Sequence, residues 1–467
     1  MQTRSYEAVV IGAGPGGYPC AIRLAQMGVN TLCVEKEFWG GVCLNVGCIP
    51  SKALITAGKR FEEISKAASF GIIVDGAKVD MKKVQSFKSG VVKKLTGGVE
   101  TLLKGNGCDR LLGSARLDGP GRVIVTTEDG EVAVEAKHIV IATGSKPIQI
   151  PGFSYEDELV INSRGALDLD FVPEKLVVIG GGYIGLELGQ MLNKIGSEVT
   201  IVEMAKTVLL GFDPDVIKLM ARKLKKSKVV VHTGAKATGW EKADGRALVH
   251  VETSKGPKSF EADRILVTVG RFPNTEGLGL ETLEGLEMDG RFIKIDAQCR
   301  TSVPGLFAIG DVAGQPMLAH KASHEGEICA EVIAGHKVQK EYTQVPAVVF
   351  TDPEIATAGL MEHQAKEAGY TIKVGKVPFG AIGRALTTNQ TDGFIKVIVN
   401  AEDERVLGVT IIGAHASDLI SEASLACEMQ AEALDIGLTI HPHPTLGEGI
   451  MEAAKAARGE AVHVLNR

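Results

Sequence analysis

Residues 6–35 read YEAVVIGAGPGGYPCAIRLAQMGVNTLCVE. Tyr6 to Ile11 is an apolar run with the look of a buried strand, GAGPGG is a turn, Tyr18 to Met27 carries a helical pattern, and Thr31 to Glu35 is a second strand. This is a βαβ unit. The same order returns at Lys175 to Ile179 (KLVVI), passes through GGGYIG and a helix to Ile195, and enters a strand from Glu198 to Glu203. In each copy the acid that ends the second strand, Glu35 or Glu203, stands 23 positions after the first glycine of the turn, Gly12 or Gly180. The chain therefore contains an internal repeat. Each copy is later closed by a strand running into a glycine turn, His138 to Ser145 (HIVIATGS) and Ile265 to Pro273 (ILVTVGRFP).

In Gly12, Gly14 and Gly17, and again in Gly180, Gly182 and Gly185, the first glycine permits a tight turn. The second lets backbone approach a pyrophosphate, and the third lets the helix pack close to the strand. The helix N-terminus then offers N–H donors to phosphate. One such fingerprint is weak evidence, since any glycine-rich turn can mimic it; two copies in matching context predict two dinucleotide sites. Glu35 and Glu203 stand where a carboxylate accepts hydrogen bonds from ribose hydroxyls and repels a 2′-phosphate, which favours NAD over NADP at the second site. Pro19 is a mild departure, expected just past the first helical turn, where its missing N–H would start to matter.

The chain has 467 residues, 45% hydrophobic and 23% charged, with 56 glycines and only 5% aromatics. That length suggests three or four packed units, and the mix favours an α/β enzyme rich in tight turns. A net charge of -6 without a Lys/Arg block gives no footprint for nucleic acid or an anionic membrane. No apolar run approaches the roughly 18 residues of a membrane span. The N-terminus enters a strand at Tyr6 without a signal or transit pattern, so a cytoplasmic protein is expected. From Ala347 onward the pattern changes to strands such as Gly393 to Asn400 and Val406 to Ile412, with helices expected from Ser417 and from Thr445, a separate α+β unit.

Eight cysteines are too scattered for a secreted disulfide framework. Only Cys43 and Cys48 are close, and in a reducing compartment such a pair is redox-active or metal-binding, the other six being apolar fillers. Five residues along a regular helix separate Cα atoms by roughly 8.6 Å, whereas a disulfide needs about 4.4 to 6.8 Å. Gly47, with Gly40 and Gly41, offers the distorted backbone that closes the gap. The alternative is half a zinc site, but no second Cys or His pair at ligand spacing completes it, and no metal is expected. A dithiol gives up two electrons and nicotinamide takes them as a hydride; a flavin mediates between the two. Because the thiols follow the first nucleotide unit, the flavin belongs there and NAD in the second.

Near the C-terminus stands HPHPTLGE, 441–448. Pro444 biases His443 toward extended backbone, presenting its imidazole off the following helix. Glu448 has two readings: with Thr445 it matches a helix capping box, or it holds His443 in the tautomer needed for acid-base work on a thiol.

Taken together, GGVCLNVGCIPSK (40–52), the two fingerprints, the GD turn at Gly310-Asp311 with Met317, Leu318, Ala319 and His320, and HPHPTLGE closely resemble the flavin-dependent pyridine nucleotide disulfide oxidoreductases, from about residue 6 to the end. The resemblance implies two Rossmann-like dinucleotide-binding domains plus a C-terminal α+β dimerisation domain. The expected divisions are 1–147 (first part of the FAD-binding domain), 148–271 (NAD-binding domain), 272–346 (central domain, completing the FAD site) and 347–467 (interface). It implies FAD at Gly12, Gly14, Gly17, Glu35, Lys52, Thr143, Gly144, Ser145, Gly310, Asp311 and the Met317–His320 segment. NAD would lie at Gly180, Gly182, Gly185 and Glu203, with Gly270 and Arg271 along its path.

By the same resemblance Cys48 lies against the flavin and Cys43 exchanges with the substrate. Lys52 pairs with Glu187 near the flavin, Tyr183 covers it until nicotinamide arrives, and His443 deprotonates protein-bound dihydrolipoamide on the other subunit of a homodimer. Gly447 departs from the Ser common in relatives. The partners implied are lipoyl domains of 2-oxoacid dehydrogenase acyltransferases or the lipoyl carrier of glycine cleavage. A glutathione-type reductase would need arginines after the second unit's second strand, where the chain has Glu203-Met204-Ala205-Lys206. A non-enzymatic NAD-responsive scaffold with zinc clamped by Cys43 and Cys48 is the reading from another class.

Overall fold

A computed structural model describes residues 2–466, which fall into two compact units. The first comprises residues 2–150, Ile161–Phe171 and Val269–Glu341; the second comprises Pro151–Val160, Val172–Thr268 and residues 342–466.

In the first unit the repeat forms as its pattern requires. The strand Gln2–Ile11 pairs in parallel with Thr31–Glu35 on one side and Gly130–Ile141 on the other. Asp109–Leu112 extends the sheet beyond Thr31–Glu35, and Leu306–Ala308 adds in parallel to Gly130–Ile141. Arg122–Thr127 and Ser114–Leu117 continue from Gly130–Ile141 as an antiparallel meander. Val9, Val10, Leu32, Cys33 and Val140 are fully enclosed, the burial on both faces that parallel strands need.

The helix Gly17–Gln26 begins one residue earlier than its pattern suggested. Pro19 is thus its third residue, inside the first turn, where backbone N–H groups have no helical partner to lose. The sequence holds no unbroken apolar run of span length, although the stretch 41–70 is, by overall length and composition, apolar enough to cross a membrane. The run escapes a search for unbroken apolar residues because Asn45, Ser51 and Lys52 interrupt it. Here it is two helices, Gly41–Val46 and Cys48–Lys66, and the second buries Ala53, Leu54 and Gly58 while packing on the helix Met81–Gly105.

In the second unit Val230–Thr233, Glu198–Glu203, Lys175–Ile179 and Arg264–Val267 lie side by side in parallel, in that order. This repeats the first sheet's order, third strand, second, first, fourth, which is that of a mononucleotide-binding half. A three-stranded antiparallel sheet, Lys236–Ala243, Arg246–Thr253 and Gly256–Ala262, again follows the third parallel strand. The C-terminal part is a five-stranded antiparallel sheet around Phe394–Asn400 and Val406–Gly413, packed with the helices Ala416–Glu428 and Glu448–Ala457. The last helix starts at Glu448 rather than Thr445, because Thr445 is committed to a turn: its N–H donates to Glu448 Oε2 at 2.9 Å and its hydroxyl to Pro442 O at 2.7 Å.

Candidate active site

The two fingerprints share their internal geometry. Gly12 has φ of 106° and Gly180 φ of 111°, conformations that favour glycine. A Cβ on Gly17 would stand 1.8 Å from Gly12 O, and one on Gly185 2.3 Å from Gly180 O, so the helix starts can approach their strands only as glycine. At the second glycine the surroundings open: the nearest atom to a Cβ on Gly14 is 4.0 Å away, and nothing lies within 4 Å at Gly182. A cradle closed beneath and open above fits a pyrophosphate at each site, and so fits FAD and NAD. The closing acids also clamp their own loops: Glu35 Oε2 accepts Ala13 N–H at 2.7 Å, and Glu203 Oε2 accepts Gly181 N–H at 2.6 Å. The remaining oxygens take Glu37 N–H at 2.9 Å and Ala205 N–H at 2.6 Å. Each carboxylate thus shapes the glycine turn before any ribose is considered.

The thiol helix is seated on the first fingerprint. Gly40, at φ of 88°, donates its N–H to Ala13 O at 2.9 Å, and a Cβ on Gly41 would lie 2.6 Å from Gly14 Cα. The helical path breaks at Gly47, where a Cβ would meet Val42 O at 2.9 Å. Both cysteines are free thiols on the two sides of this break, Cys43 half-buried and Cys48 exposed, and the Cys48 side chain is the largest influence on the Cys43 thiol. That influence, then burial and the neighbouring Cys48 charge, push the Cys43 thiol well above its ordinary range, while Lys52 pulls the other way. Two neighbouring sulfurs hold one negative charge far more readily than two. The six other cysteines are buried.

The glycine turn Thr143-Gly144-Ser145 is held by residues more than 120 positions away. Ser145 Oγ donates to Asp311 Oδ2 at 2.5 Å. Arg271 donates from Nε to Ser145 Oγ at 2.8 Å and from Nη2 to Ser145 O at 2.6 Å. Gly270 O accepts Ile148 N–H at 3.1 Å as the strands Ser145–Pro147 and Arg271–Pro273 pair. Asn274, not singled out in the sequence, makes three bonds: N–H to Gly144 O, Nδ2 to Thr143 O, both at 2.9 Å, and its carbonyl accepts Thr143 Oγ at 2.8 Å. Met317 and Leu318 lead into the helix Ala319–Ile333, which carries His320 in its first turn.

In the second unit Tyr183 opens the helix Tyr183–Lys194 and is exposed. Glu187 is buried and its Oε1 accepts Phe350 N–H at 2.8 Å. His443 is exposed; its Nδ1 meets Glu448 Oε1 at 2.8 Å, while Glu448 Oε2 takes the Thr445 amide. The capping box is not formed, since Gly447 and not Thr445 precedes the helix; the Glu448 carboxylate instead bridges the Thr445 amide and the His443 ring. Burial would raise its pKa, but the Thr445 N–H and then His443 outweigh that and hold it below the usual range. With Nδ1 facing a carboxylate, the neutral tautomer leaves Nε2 unprotonated, the form a general base requires. The loop has a second anchor that the sequence did not reveal: His441 Nε2 meets Glu422 Oε1 at 2.7 Å and its Nδ1 meets Thr439 O at 2.9 Å.

Paired fingerprints, a thiol pair beside the first of them and a carboxylate-held imidazole define a class that moves electron pairs between sulfur and nicotinamide. Residues 6–326 match the pyridine nucleotide-disulphide oxidoreductase family and 345–454 that family's dimerisation domain; the chain belongs to this family. Among its relatives, the dihydrolipoyl dehydrogenase of Geobacillus stearothermophilus is 49% identical over 462 residues, covering 99% of this chain and 98% of that protein. That of Bacillus subtilis is 51% identical over 461 residues, 98% of each. Among solved structures, LpdA from Mycobacterium tuberculosis superposes with a TM-score of 0.89 at 26% identity, over 96% of this chain and 99% of that one. RclA of Escherichia coli, a HOCl-induced flavoprotein disulfide reductase, gives 0.87 at 26% identity, over 97% of this chain and 99% of that one. The chain is an oxidoreductase of the dihydrolipoyl dehydrogenase kind that works with FAD and NAD.

Proposed function

We propose that the protein oxidises dihydrolipoamide carried on lipoyl domains and reduces NAD, with the residues above in specific roles. The Cys43–Cys48 disulfide is opened by a substrate thiolate attacking Cys43, and the substrate's second thiol then displaces Cys43 to close lipoamide, leaving both cysteines reduced. His443 removes the proton from the attacking thiol, and Glu448 holds its ring. Bound FAD supplies an acceptor for the electron pair from the thiols and a hydride donor to nicotinamide. Gly12, Gly14, Gly17, Lys52, the Thr143–Ser145 turn and Asp311 hold FAD; Gly180, Gly182, Gly185 and Glu203 hold NAD, with Arg271 along its path while also bonding to Ser145 of the FAD-side turn. The four-part division at 147, 271 and 346 assigns these sites to separate folding regions. The protein acts in the cytoplasm as a homodimer on acyltransferase lipoyl domains or the lipoyl carrier of glycine cleavage.

The observation that carries this reading is the pair of thiols on either side of the Gly47 break, on a helix seated against the first fingerprint. The test is a spectrum-monitored assay of the purified protein with dihydrolipoamide, glutathione and each nicotinamide. Yellow protein that bleaches with dihydrolipoamide and makes NADH is the expected outcome. Reaction with glutathione and NADPH instead, or colourless protein with stoichiometric zinc, overturns it.

A further inference from the structure

The helix Ala319–Ile333 presents successive contacts to the two turns assigned to FAD. Ser323 Oγ donates to Pro15 O, inside the first fingerprint, at 2.8 Å. A Cβ on Gly326 would stand 2.4 Å from Gly16 O, so helix and fingerprint touch through bare backbone. Between these two positions lies Glu325, 1% exposed. Its Oε2 accepts the Gly310 N–H at 2.8 Å. Lys321 Nζ and Lys340 Nζ approach its Oε1 at 3.2 and 3.7 Å.

An acidic side chain this deep is costly unless it is paired and hydrogen-bonded. Packing alone has no use for it, since an apolar residue would fill the same space. What the carboxylate does is fix one amide, that of Gly310. Gly310 has φ of 73° and immediately precedes Asp311, whose Oδ2 takes the Ser145 hydroxyl. The Gly310–Val312 turn is a single 3-10 turn, too short to fix its own orientation. Asp311 is thus held by Ser145 on one side, and the turn that bears it is held from behind by Glu325.

We propose that Glu325, braced by Lys321 and Lys340, is a positioning residue for the flavin site. It sets the Gly310–Asp311 turn and, through the same helix that carries Ser323 and Gly326, keeps that turn in register with the first fingerprint. The inference rests on the assignment of Asp311 to FAD.

The test compares FAD release from the holoenzyme, followed by flavin fluorescence on dilution, for Glu325→Gln, Glu325→Leu, Asp311→Ala and the double variant Asp311→Ala/Glu325→Leu. The visible flavin band and the melting temperature are recorded alongside. Glu325→Leu should release FAD about tenfold faster or more, with an altered band, as loss of a charge-assisted hydrogen bond predicts. Glu325→Gln keeps an oxygen for the Gly310 amide and should stay within about threefold of wild type. The double variant should be no worse than Asp311→Ala, because both act through one turn. Wild-type release from Glu325→Leu beside fast release from Asp311→Ala overturns the role of Glu325 and leaves the site assignment standing; wild-type release from Asp311→Ala overturns the assignment itself. Where Glu325→Leu yields no folded holoenzyme, Lys340→Met, at a more accessible side chain, carries the test: faster release at an unchanged melting temperature supports the proposal, and wild-type release overturns it.

Discussion

Replacing Cys48 with serine changes one atom and little shape, yet it removes the sulfur that the proposed disulfide needs and the neighbouring thiol charge that helps raise the Cys43 thiol. Cys48→Ser should therefore abolish dihydrolipoamide-driven NADH formation while the protein stays yellow. Turnover at the wild-type rate would take Cys48 out of the mechanism. His443 has a different signature, because a base accelerates a step that thiols can also perform slowly from their small thiolate fraction. His443→Gln should slow turnover by about 10² to 10⁴ at unchanged flavin content, read in steady-state assays with dihydrolipoamide; an unaltered rate would leave His443 structural. Both residues stand out in the sequence, one by the spacing of the cysteine pair and one by its flanking prolines, while the roles given to them come from resemblance. The pairing of His441 with Glu422 was not legible, since 19 residues separate them and no periodic pattern links the pair.

Within the strand-turn-helix elements, glycines that look alike in the sequence do different work, and substitution separates them. At Gly185 an added Cβ collides with Gly180 O at 2.3 Å, whereas at Gly182 it meets nothing within 4 Å. Gly185→Ala should lower both the melting temperature and NAD affinity. Gly182→Ala should melt like wild type but bind NAD about tenfold more weakly, a loss of about 1.4 kcal/mol, because the methyl fills space meant for pyrophosphate. Calorimetric titration with NAD beside thermal melts decides it, and unchanged NAD affinity in Gly182→Ala would place the pyrophosphate elsewhere. The fingerprints were readable because strand, turn and helix are written into adjacent residues with local periodicity. The clasp of Ser145, Arg271, Asn274 and Asp311 was only partly so: three of its members follow from resemblance, but their bonds to one another join positions 126 to 166 apart. Asn274 ends the GRFPN run, 270–274, without an assigned role, and its three bonds to the Thr143–Gly144 turn emerge only once two short strands pair.

On the scale of the whole chain, a composition near the soluble average and a net charge of -6 say nothing of where charge is buried. The second unit encloses Lys396, 1% exposed, with Nζ 2.7 Å from Asp213, 3.1 Å from Asp215 and 3.4 Å from Glu362. This ties the nucleotide-binding part of that unit to its C-terminal sheet, and His363 adds a contact to Asp213 at 2.7 Å. Burial would raise the Asp213 carboxyl, but the hydrogen bonds from Lys396 and then His363 win, holding it at about 2 against an ordinary 3.8. A depressed carboxyl contributes stability that is complete above pH about 3.8 and is lost as pH falls through about 2, here about 2 kcal/mol. Lys396→Met leaves three carboxylates facing one another without their buried cation, a loss of about 3 to 5 kcal/mol at pH 7, or a melting temperature lower by roughly 10 °C. As pH drops below about 4 those carboxylates take up protons in the variant first, so the deficit should shrink. Melts of both proteins between pH 7 and pH 3.5 read this directly, and a deficit that stays constant across that range would make Lys396 a matter of packing rather than of charge.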